Sequence, residues 1–505
     1  MMALEKNEKI KCLGDLLEGI RPLEPILAGV PVLGLQLDSR AVKSDQLFIA
    51  CKGAAADGRQ FIREAVATGA AAVLAEYGEN WVEDSECDGV PVLVIKDLVA
   101  KVSDIAGKFY DHPSIDIPVI GVTGTNGKTT CTQLMSQFLA ALKKRCGVIG
   151  TLGMGVNGRM SPVINTTPDA LSVQQQLSVW NKGGIDAVAM EVSSHGLEQH
   201  RVAAVQFQAA LFTNLSRDHL DYHGSMDAYG KAKLKLFLQP GLKIAVVNLD
   251  DPFSRDILEA IPQGVNALTF SVSDKSADVY LTAIQFLPAG VNARLNSPWG
   301  EMPFQSPLMG SFNLSNLLGA ITVLSAVGYA LSELMPICMQ LQAIDGRMEQ
   351  VANNAGLVAV VDYAHTPDGL SSALQAIRQH GAGRLWCVFG CGGDRDKGKR
   401  SEMGAVVERW ADYAVVTSDN PRNENPQQIL EQIVSGMQAP PEYIEPDREK
   451  AIAYAVANAS EGDTILVAGK GHESYQQIGQ QRLPFSDLQQ LRLALGKRTQ
   501  RRGEG

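Results

Sequence analysis

The run Gly121-Val122-Thr123-Gly124-Thr125-Asn126-Gly127-Lys128-Thr129-Thr130 has the make-up of a loop that holds phosphate. Glycines let successive backbone N–H groups turn toward phosphate oxygens, and a helix starting behind them adds its positive end. Lys128 is placed to reach the β/γ-phosphates of a nucleotide, and Thr129 to offer a hydroxyl to Mg2+. A strict Walker pattern puts its outer glycine at position 122, which is Val122 here, so the match is Walker-like.

Further along, Met190-Glu191-Val192-Ser193-Ser194-His195-Gly196 sets a carboxylate where a strand should end. Beside a phosphate loop such a group is a natural Mg2+ ligand, because that ion prefers oxygen donors. Alone, Glu191 would read as a solvated acid at a helix start and His195 as a hydrogen-bonded core histidine. Next to a nucleotide loop the functional reading prevails. The stretch from Thr213 to Gly224 is dense in metal-capable groups, yet it lacks the His-Glu-x-x-His arrangement of zinc proteases. After it, Tyr229 to Phe237 carries Lys231, Lys233 and Lys235 at alternate positions. A helix turns about 100° per residue, so the three cannot share one solvated face and at least one points inward.

A second set of charged groups lies near the C-terminus. It comprises Asp394, Arg395, Asp396 and Arg400 after Gly390, then Asp419-Asn420-Pro421-Arg422, then Gly469-Lys470-Gly471-His472-Glu473. Arg422 and Arg395 supply planar donors for a carboxylate, and Glu473 a counter-charge for an ammonium. A zwitterion with a second amino-acid head suits that combination. Surface salt bridging explains the set poorly, because each segment follows an apolar strand.

These residues need elements to position them. The runs Val119 to Val122, Ala187 to Met190, Ala209 to Phe212 and Ile244 to Val247 are short, continuous and apolar, as parallel strands buried on both faces should be. Leu357 to Val361, Leu385 to Phe389, Tyr413 to Val416 and Thr464 to Val467 repeat the pattern. Both blocks read as doubly wound α/β sheets, in which ligands sit beyond the carboxyl ends of the strands. Nearly every one of these strands runs straight into a cluster of Gly, Asp, Asn, His or Arg. Breaks at His112-Pro113-Ser114 and Asp345-Gly346-Arg347 divide the chain. The expected α/β architecture has three domains: a small N-terminal α/β unit (1–115), a central P-loop doubly wound sheet (116–345) and a C-terminal Rossmann-like sheet (346–505).

Composition agrees with that division. At 505 residues the chain exceeds a single core. Apolar residues at 45% and charged residues at 20% are ordinary for a soluble globular protein. A net charge of −10 argues against a nucleic-acid binder. The eight cysteines are scattered, and Cys387 and Cys391 have no partner pair at metal-site spacing, so reduced thiols are expected. Met1 to Lys11 is polar and unlike a signal peptide. The apolar segment Leu317 to Leu331 is broken by Gly319, Thr322, Ser325 and Gly328, and reads as a buried helix, not a membrane span. A cytoplasmic protein without nucleic-acid or membrane partners is the expectation.

Taken together, the phosphate loop, Glu191 to Gly196, Thr213 to Gly224 and the lysine helix resemble the Mur ligases of peptidoglycan synthesis, and further motifs extend the likeness over nearly the whole chain. The resemblance implies ATP as substrate, Mg2+ as cofactor and catalytic roles for Lys128, Glu191, His219 and Lys233. It assigns Mg2+ to Thr129, Glu191, His219 and Lys233, the last as a carbamate (N6-carboxylysine). The chemistry makes sense of this, since an ammonium would repel Mg2+ whereas a carbamate offers carboxylate-like oxygens. Nucleotide contacts are implied for Gly124, Thr125, Asn126, Gly127, Lys128, Thr129 and Thr130. Asn313 and Asn316 resemble the adenine-side helix start, and Arg347 and Asp362, with His365, the residues that the third domain brings to the nucleotide. An arginine there can neutralise the γ-phosphate as it transfers.

Asn165, Thr166, Thr167, Ser193, Gln199 and Arg201 resemble positions that hold UDP-MurNAc-L-Ala-D-Glu in the third-step ligases. Leu37-Asp38-Ser39-Arg40 resembles their uridine segment, with contacts from Leu37 and Ser39. The family often has a histidine and a polar residue in its Gly-x-x-x-Asp-Gly stretch. This chain has Gly53-Ala54-Ala55-Ala56-Asp57-Gly58, so some uridine or diphosphate contacts must be made differently. Asp419, Asn420, Pro421 and Arg422 resemble the signature of ligases that add meso-diaminopimelate, and Arg395, Gly469 and Glu473 complete that set. The implied enzyme, expected as a monomer, turns the D-Glu γ-carboxylate into an acyl phosphate with ATP and captures it with the diaminopimelate amine. The rivals are a sister amide ligase, from another Mur step or of the folylpolyglutamate synthase type, and a P-loop switch that forms no covalent product. The C-terminal Arg/Glu cluster speaks against the switch.

Overall fold

The computed structural model describes residues 10–53, 56–287, 290–381 and 383–503. The polar start through Lys9, and Ala54 and Ala55 of the alanine-rich stretch, lie outside these residues.

Three α/β units follow one another along the chain. In the first, Gly34–Gln36, Gln46–Ala50, Ala70–Glu76 and Val90–Ile95 form a parallel sheet, which Ser85–Cys87 extends antiparallel at one edge. The helix Leu98–Phe109 covers it through Val102, Ile105 and Ala106 and leads to the turn Pro113–Ile115.

The central unit is an eleven-stranded mixed sheet. Its interior strands Val119–Thr123, Ala187–Glu191, Ala209–Phe212 and Ile244–Asn248 are buried at every position and pair in parallel, as their unbroken apolar runs require. Apolar clusters cover both faces. One holds the helix Lys128–Ala141 by Leu134, Met135, Phe138 and Leu139, all fully buried. Each such side chain contributes about 1.5–3 kcal/mol, which fixes the helix that begins at the phosphate loop. Antiparallel strands extend the sheet at one edge, Gly153–Val156 and Arg159–Ser161; at the other, Val279–Leu287 joins in parallel to Asn266–Ser271, and Gly290–Asn296 and Met302–Ser306 follow antiparallel.

The segment Leu317 to Leu331 is not one helix. The buried helix runs Ser311–Ala326, starting after Gly310 (φ 91°) and ending before Gly328 (φ 110°), and Leu331 opens a separate short helix. Glycine in the left-handed region terminates a helix at little cost, and Gly328 does so here. No helix among the described residues is long and apolar enough to cross a membrane. All eight thiols are free.

Directly after Asp345-Gly346-Arg347, Glu349–Gln350 pairs antiparallel with Val358–Asp362, opening the C-terminal sheet. Its remaining strands, Thr464–Ala468, Leu385–Phe389, Tyr413–Thr417 and Tyr443–Glu445, are parallel in that spatial order. The C-terminal unit touches the central one at several points. Arg217 reaches Glu402 at 3.2 Å, Asn126 reaches Asp368 at 3.3 Å, and His380 accepts from the Gly310 N–H at 2.9 Å. Thus strand ends from both sheets face a common space.

Candidate active site

The phosphate loop is braced from the neighbouring strand end. Thr125 N–H donates to the Asn214 carbonyl at 2.8 Å and Asn126 N–H to Asn214 Oδ1 at 2.9 Å, while the Thr213 hydroxyl donates to the Asn126 carbonyl at 2.6 Å. Gly124 and Gly127 have positive φ, and a Cβ on either would overlap Thr213 or Asn316. These two glycines are therefore required by both conformation and space.

Two lysines converge on that loop. Lys128 folds across it, donating to the Gly124 carbonyl at 2.8 Å and the Thr125 carbonyl at 2.9 Å. Lys233 also donates to the Gly124 carbonyl, at 2.8 Å, and lies 4.1 Å from the Tyr229 ring centroid. Lys233 is the inward lysine of its helix, whereas Lys231 and Lys235 pair with Asp227 and Glu198 at the surface. Burial, reinforced by Lys128, pushes the Lys233 pKa well down. Burial lowers that of Lys128 too, although Glu191 and Asp218 oppose it.

Glu191 is buried at the adjacent strand end. Its Oε2 accepts from the hydroxyls of Thr129 at 3.0 Å and Thr151 at 3.1 Å, and its Oε1 accepts from the Thr151 N–H at 2.8 Å. His219 adopts φ 52° beside Asp218, which lies 3.3 Å from its Nε2. Burial works against the Asp218 carboxylate, but His219, His365 and Lys128 together hold it below the usual range. Burial, then His219 and His223, push His195 down to about 4. Among the described residues no three carboxylate, imidazole or thiol groups cluster at metal-ligand spacing. The expected Mg2+ set draws only Glu191 and His219 from those types, with a hydroxyl and a modified lysine for the rest. Such a sparse oxygen-rich set suits an ion that keeps several waters and binds substrate phosphates.

Beside the loop opens a cavity of about 420 Å³, lined by Asn126, Gly127, Thr130, Asn316, Arg347 and Asp362 among others. Arg347 stacks 4.5 Å from the Tyr363 centroid. Asp362 accepts from the N–H groups of Met348 and Ala364, and burial raises its pKa. Asn313 stands behind the cavity wall, donating to the Met309 carbonyl, while Asn316 and Ser315 line it.

A second cavity, of about 520 Å³, lies between the two large units. Arg217, Asp218 and His219 line it from the central unit, and Arg395, Asp419, Asn420, Arg422, Gly469 and Glu473 from the C-terminal one. Pro421 is buried beside it. Arg422 Nη1 donates to the Gly393 carbonyl at 2.7 Å, which steadies the guanidinium, whereas Arg395 is exposed. Behind this wall Arg448 and Asp487 form a fully buried ion pair at 2.7 Å, and Arg448 also donates to the carbonyls of Ser418 and Ala468. Those two carbonyls immediately precede Asp419 and Gly469. Tyr363, His365 and Thr366 line both cavities.

The residues expected to hold the third substrate fall in two places. Thr167 accepts from the Ser193 N–H and donates to the Glu191 carbonyl, and Arg201 joins the Thr167 carbonyl to Gln199 Oε1. Thr166 meets the Thr151 hydroxyl at 3.1 Å, and Asn165 is exposed on the same loop. Leu37 and Ser39 stand apart in the N-terminal unit, where the Ser39 hydroxyl donates to Glu64. Tyr363 and Lys399 also line the second cavity without a role that the sequence suggests, and Lys470 belongs to the C-terminal charged set with no role assigned to it there.

Comparison with known proteins agrees with this geometry. The chain matches the Mur ligase middle domain over residues 122–324, the Mur ligase glutamate ligase domain over 346–471 and the Mur ligase family catalytic domain over 31–110. It is 50% identical over 462 residues to a Pseudomonas aeruginosa UDP-N-acetylmuramoyl-L-alanyl-D-glutamate–2,6-diaminopimelate ligase, covering 91% of this chain and 94% of that one. A solved structure of a ligase of that name superposes with TM-score 0.72 at 34% identity, covering 97% of this chain and all of the other. MurF from Acinetobacter baumannii shares the fold at TM-score 0.66 and 19% identity, over 97% and 99% of the two chains. The chain belongs to the Mur ligase family.

Proposed function

We propose that this chain joins meso-2,6-diaminopimelate to UDP-N-acetylmuramoyl-L-alanyl-D-glutamate using ATP, a cytoplasmic step of peptidoglycan synthesis. One observation carries the reading: the phosphate-loop cavity and the interdomain cavity share Tyr363, His365 and Thr366 as a common wall. A carboxylate phosphorylated on one side of that wall thereby meets an amine held on the other, which is the proximity a ligase needs. Relatives that carry the name of this reaction support the choice of substrates.

The loop N–H groups from Gly124 to Thr130 receive the phosphates, with Lys128 already drawn across the loop. Arg347 adds planar donors as charge builds on the transferring group. The linked residues Thr167, Ser193, Gln199 and Arg201 orient the dipeptide end of the UDP substrate. A γ-carboxylate oxygen of its D-Glu attacks the γ-phosphorus, ADP leaves, and an acyl phosphate results. The diaminopimelate nitrogen then attacks the acyl carbon, loses its proton, and inorganic phosphate departs as the amide forms. Thr129, Glu191, His219 and Lys233 would hold Mg2+, which neutralises the phosphates when bound.

Lys233 suits a carbamate on physical grounds. It donates to a carbonyl, faces an aromatic ring and forms no salt bridge among the described residues, although the Asp218 carboxylate pulls its pKa upward. Burial favours its neutral amine, the form that adds carbon dioxide. Arg422 and Arg395 receive the distal carboxylate of diaminopimelate, and Asp419 and Glu473 its distal ammonium.

Mass spectrometry of reactions with all three substrates, and with each omitted in turn, tests the proposal. The UDP-MurNAc-tripeptide should form only in the complete mixture, with one ADP per product. Nucleotide turnover without a new amide, or efficient ligation of a different amino acid, would overturn it.

A further inference from the structure

One cation lies behind the amino-acid cleft and does not line it. Lys470 has no exposed side-chain surface, and its ammonium sits 2.9 Å from Glu473 Oε2 and 3.6 Å from Asp419 Oδ1. It also donates to Asn420 Oδ1 at 3.0 Å. That same amide oxygen accepts from the Gln477 N–H at 2.8 Å, and the Asn420 Nδ2 donates to Glu473 Oε2 at 2.8 Å. The orientation of Asn420 is therefore fixed, and one Glu473 oxygen is occupied twice. Asp419 Oδ1 is buried and finds no hydrogen-bond partner among the described residues.

A buried ammonium persists where carboxylates compensate it. Here two carboxylates flank one ammonium, so the group presents a single net negative charge to the cleft. Arg422 and Arg395 line the same cleft. Diaminopimelate brings a distal ammonium and a distal carboxylate, and its distal head is neutral overall. L-Lysine has the same reacting head but lacks the distal carboxylate, so its distal end carries one positive charge.

We infer that Lys470 is a positioning residue that sets amino-acid specificity by cancelling one of the two cleft carboxylates. With Lys470 in place the wall holds one ammonium without strongly favouring an uncompensated cation. Without it the wall is one unit more negative, and the cationic competitor gains more than the zwitterion. Specificity is the difference between the two affinities, so it shifts even where both change. The inference rests on the proposed amino-acid substrate.

The test compares kcat/KM for meso-diaminopimelate and L-lysine in three full-length enzymes. These are wild type, Lys470→Met and the double variant Lys470→Met with Asp419→Asn. The double variant removes one cation and one carboxylate and so restores the net charge. In Lys470→Met the preference for diaminopimelate should fall at least about tenfold, as expected for one unit charge a few ångströms from a partly buried head. In the double variant much of the preference should return. ATP affinity should stay level in all three, because the nucleotide cavity does not include these residues. Should Lys470→Met not fold, Lys470→Gln, which keeps a donor but not the charge, is read by the same ratio. An equal fall for both amino acids, or a double variant no more selective than the single, overturns the inference and leaves Lys470 a structural residue. A wild type that ligates neither amino acid removes the substrate reading instead.

Discussion

Arg422→Ala isolates the contact proposed to select the amino acid. Arg422 lines the interdomain cavity and is half-buried, and its Nη1 is already held by the Gly393 carbonyl at 2.7 Å. The remaining guanidinium donors therefore meet a carboxylate with little ordering left to do. Truncating one partner of a buried charge pair costs about 2–5 kcal/mol, and half-exposure puts this case near the lower end. A loss of about 2–3 kcal/mol is roughly a thirty- to 150-fold fall in kcat/KM for diaminopimelate. The backbone should tolerate the change. Arg422 already sits at φ 49°, so alanine brings no new left-handed strain, and the hydrogen bond to the Gln477 carbonyl uses the main-chain N–H. Steady-state ligation with diaminopimelate and L-lysine, alongside ATP titration, is the assay. Diaminopimelate use should collapse, lysine use should stay level or rise, and ATP affinity should not move. An equal fall for both amino acids would refute the reasoning, because Arg422 would then hold the shared head or the domain fold.

Lys128→Ala should lower turnover by at least about two orders of magnitude, as removal of a transition-state donor does, with an unchanged circular dichroism spectrum. Near-normal ligation by that variant would remove Lys128 from the mechanism. Lys233→Ala should be almost inactive and partly rescued by formate, and Lys233→Arg should fail as well, since a guanidinium cannot carry the carbamate; full activity in the arginine variant contradicts the role. Acid should destabilise the fold through His472, whose pKa burial and then Arg347 lower from the ordinary 6.5. Below that value the unfolded chain binds more protons than the native one, so stability present above it is lost as pH falls through the depressed pKa. Melting temperature should therefore decline from pH 7.5 to 4.5, and less steeply in His472→Gln; parallel curves would rule the group out.

The strands around both cavities were legible because each is a short unbroken apolar run ending in polar residues. Val119–Thr123 and Leu385–Phe389 are examples, the first one residue longer than expected and the second as expected. The alternate lysines also predicted an inward side chain correctly, since helical geometry allows no other outcome. Less was readable where function depends on contacts between distant segments. Lys470 lies 50 residues from Asn420 in sequence, and Arg448 39 from Asp487, so neither pairing leaves a local pattern. The hairpins at the edges of the central sheet were missed for a related reason: Arg159–Ser161 has no buried position, Met302–Ser306 mixes exposed and buried ones, and neither has a continuous apolar run. The two asparagines of one motif also take different places, which the motif alone does not foretell: Asn313 donates its amide to the Met309 carbonyl, while Asn316 lines the cavity beside the phosphate loop.

The central claim is that ATP activates the D-Glu γ-carboxylate for capture by a diaminopimelate amine. Oxygen-18 in both oxygens of that carboxylate tests it directly. After reaction with ATP and meso-diaminopimelate, the account predicts tripeptide retaining one labelled oxygen and inorganic phosphate carrying the other. Tripeptide accompanied by unlabelled phosphate would contradict the acyl phosphate, and labelled substrate returned unchanged while ADP accumulates would contradict ligation itself.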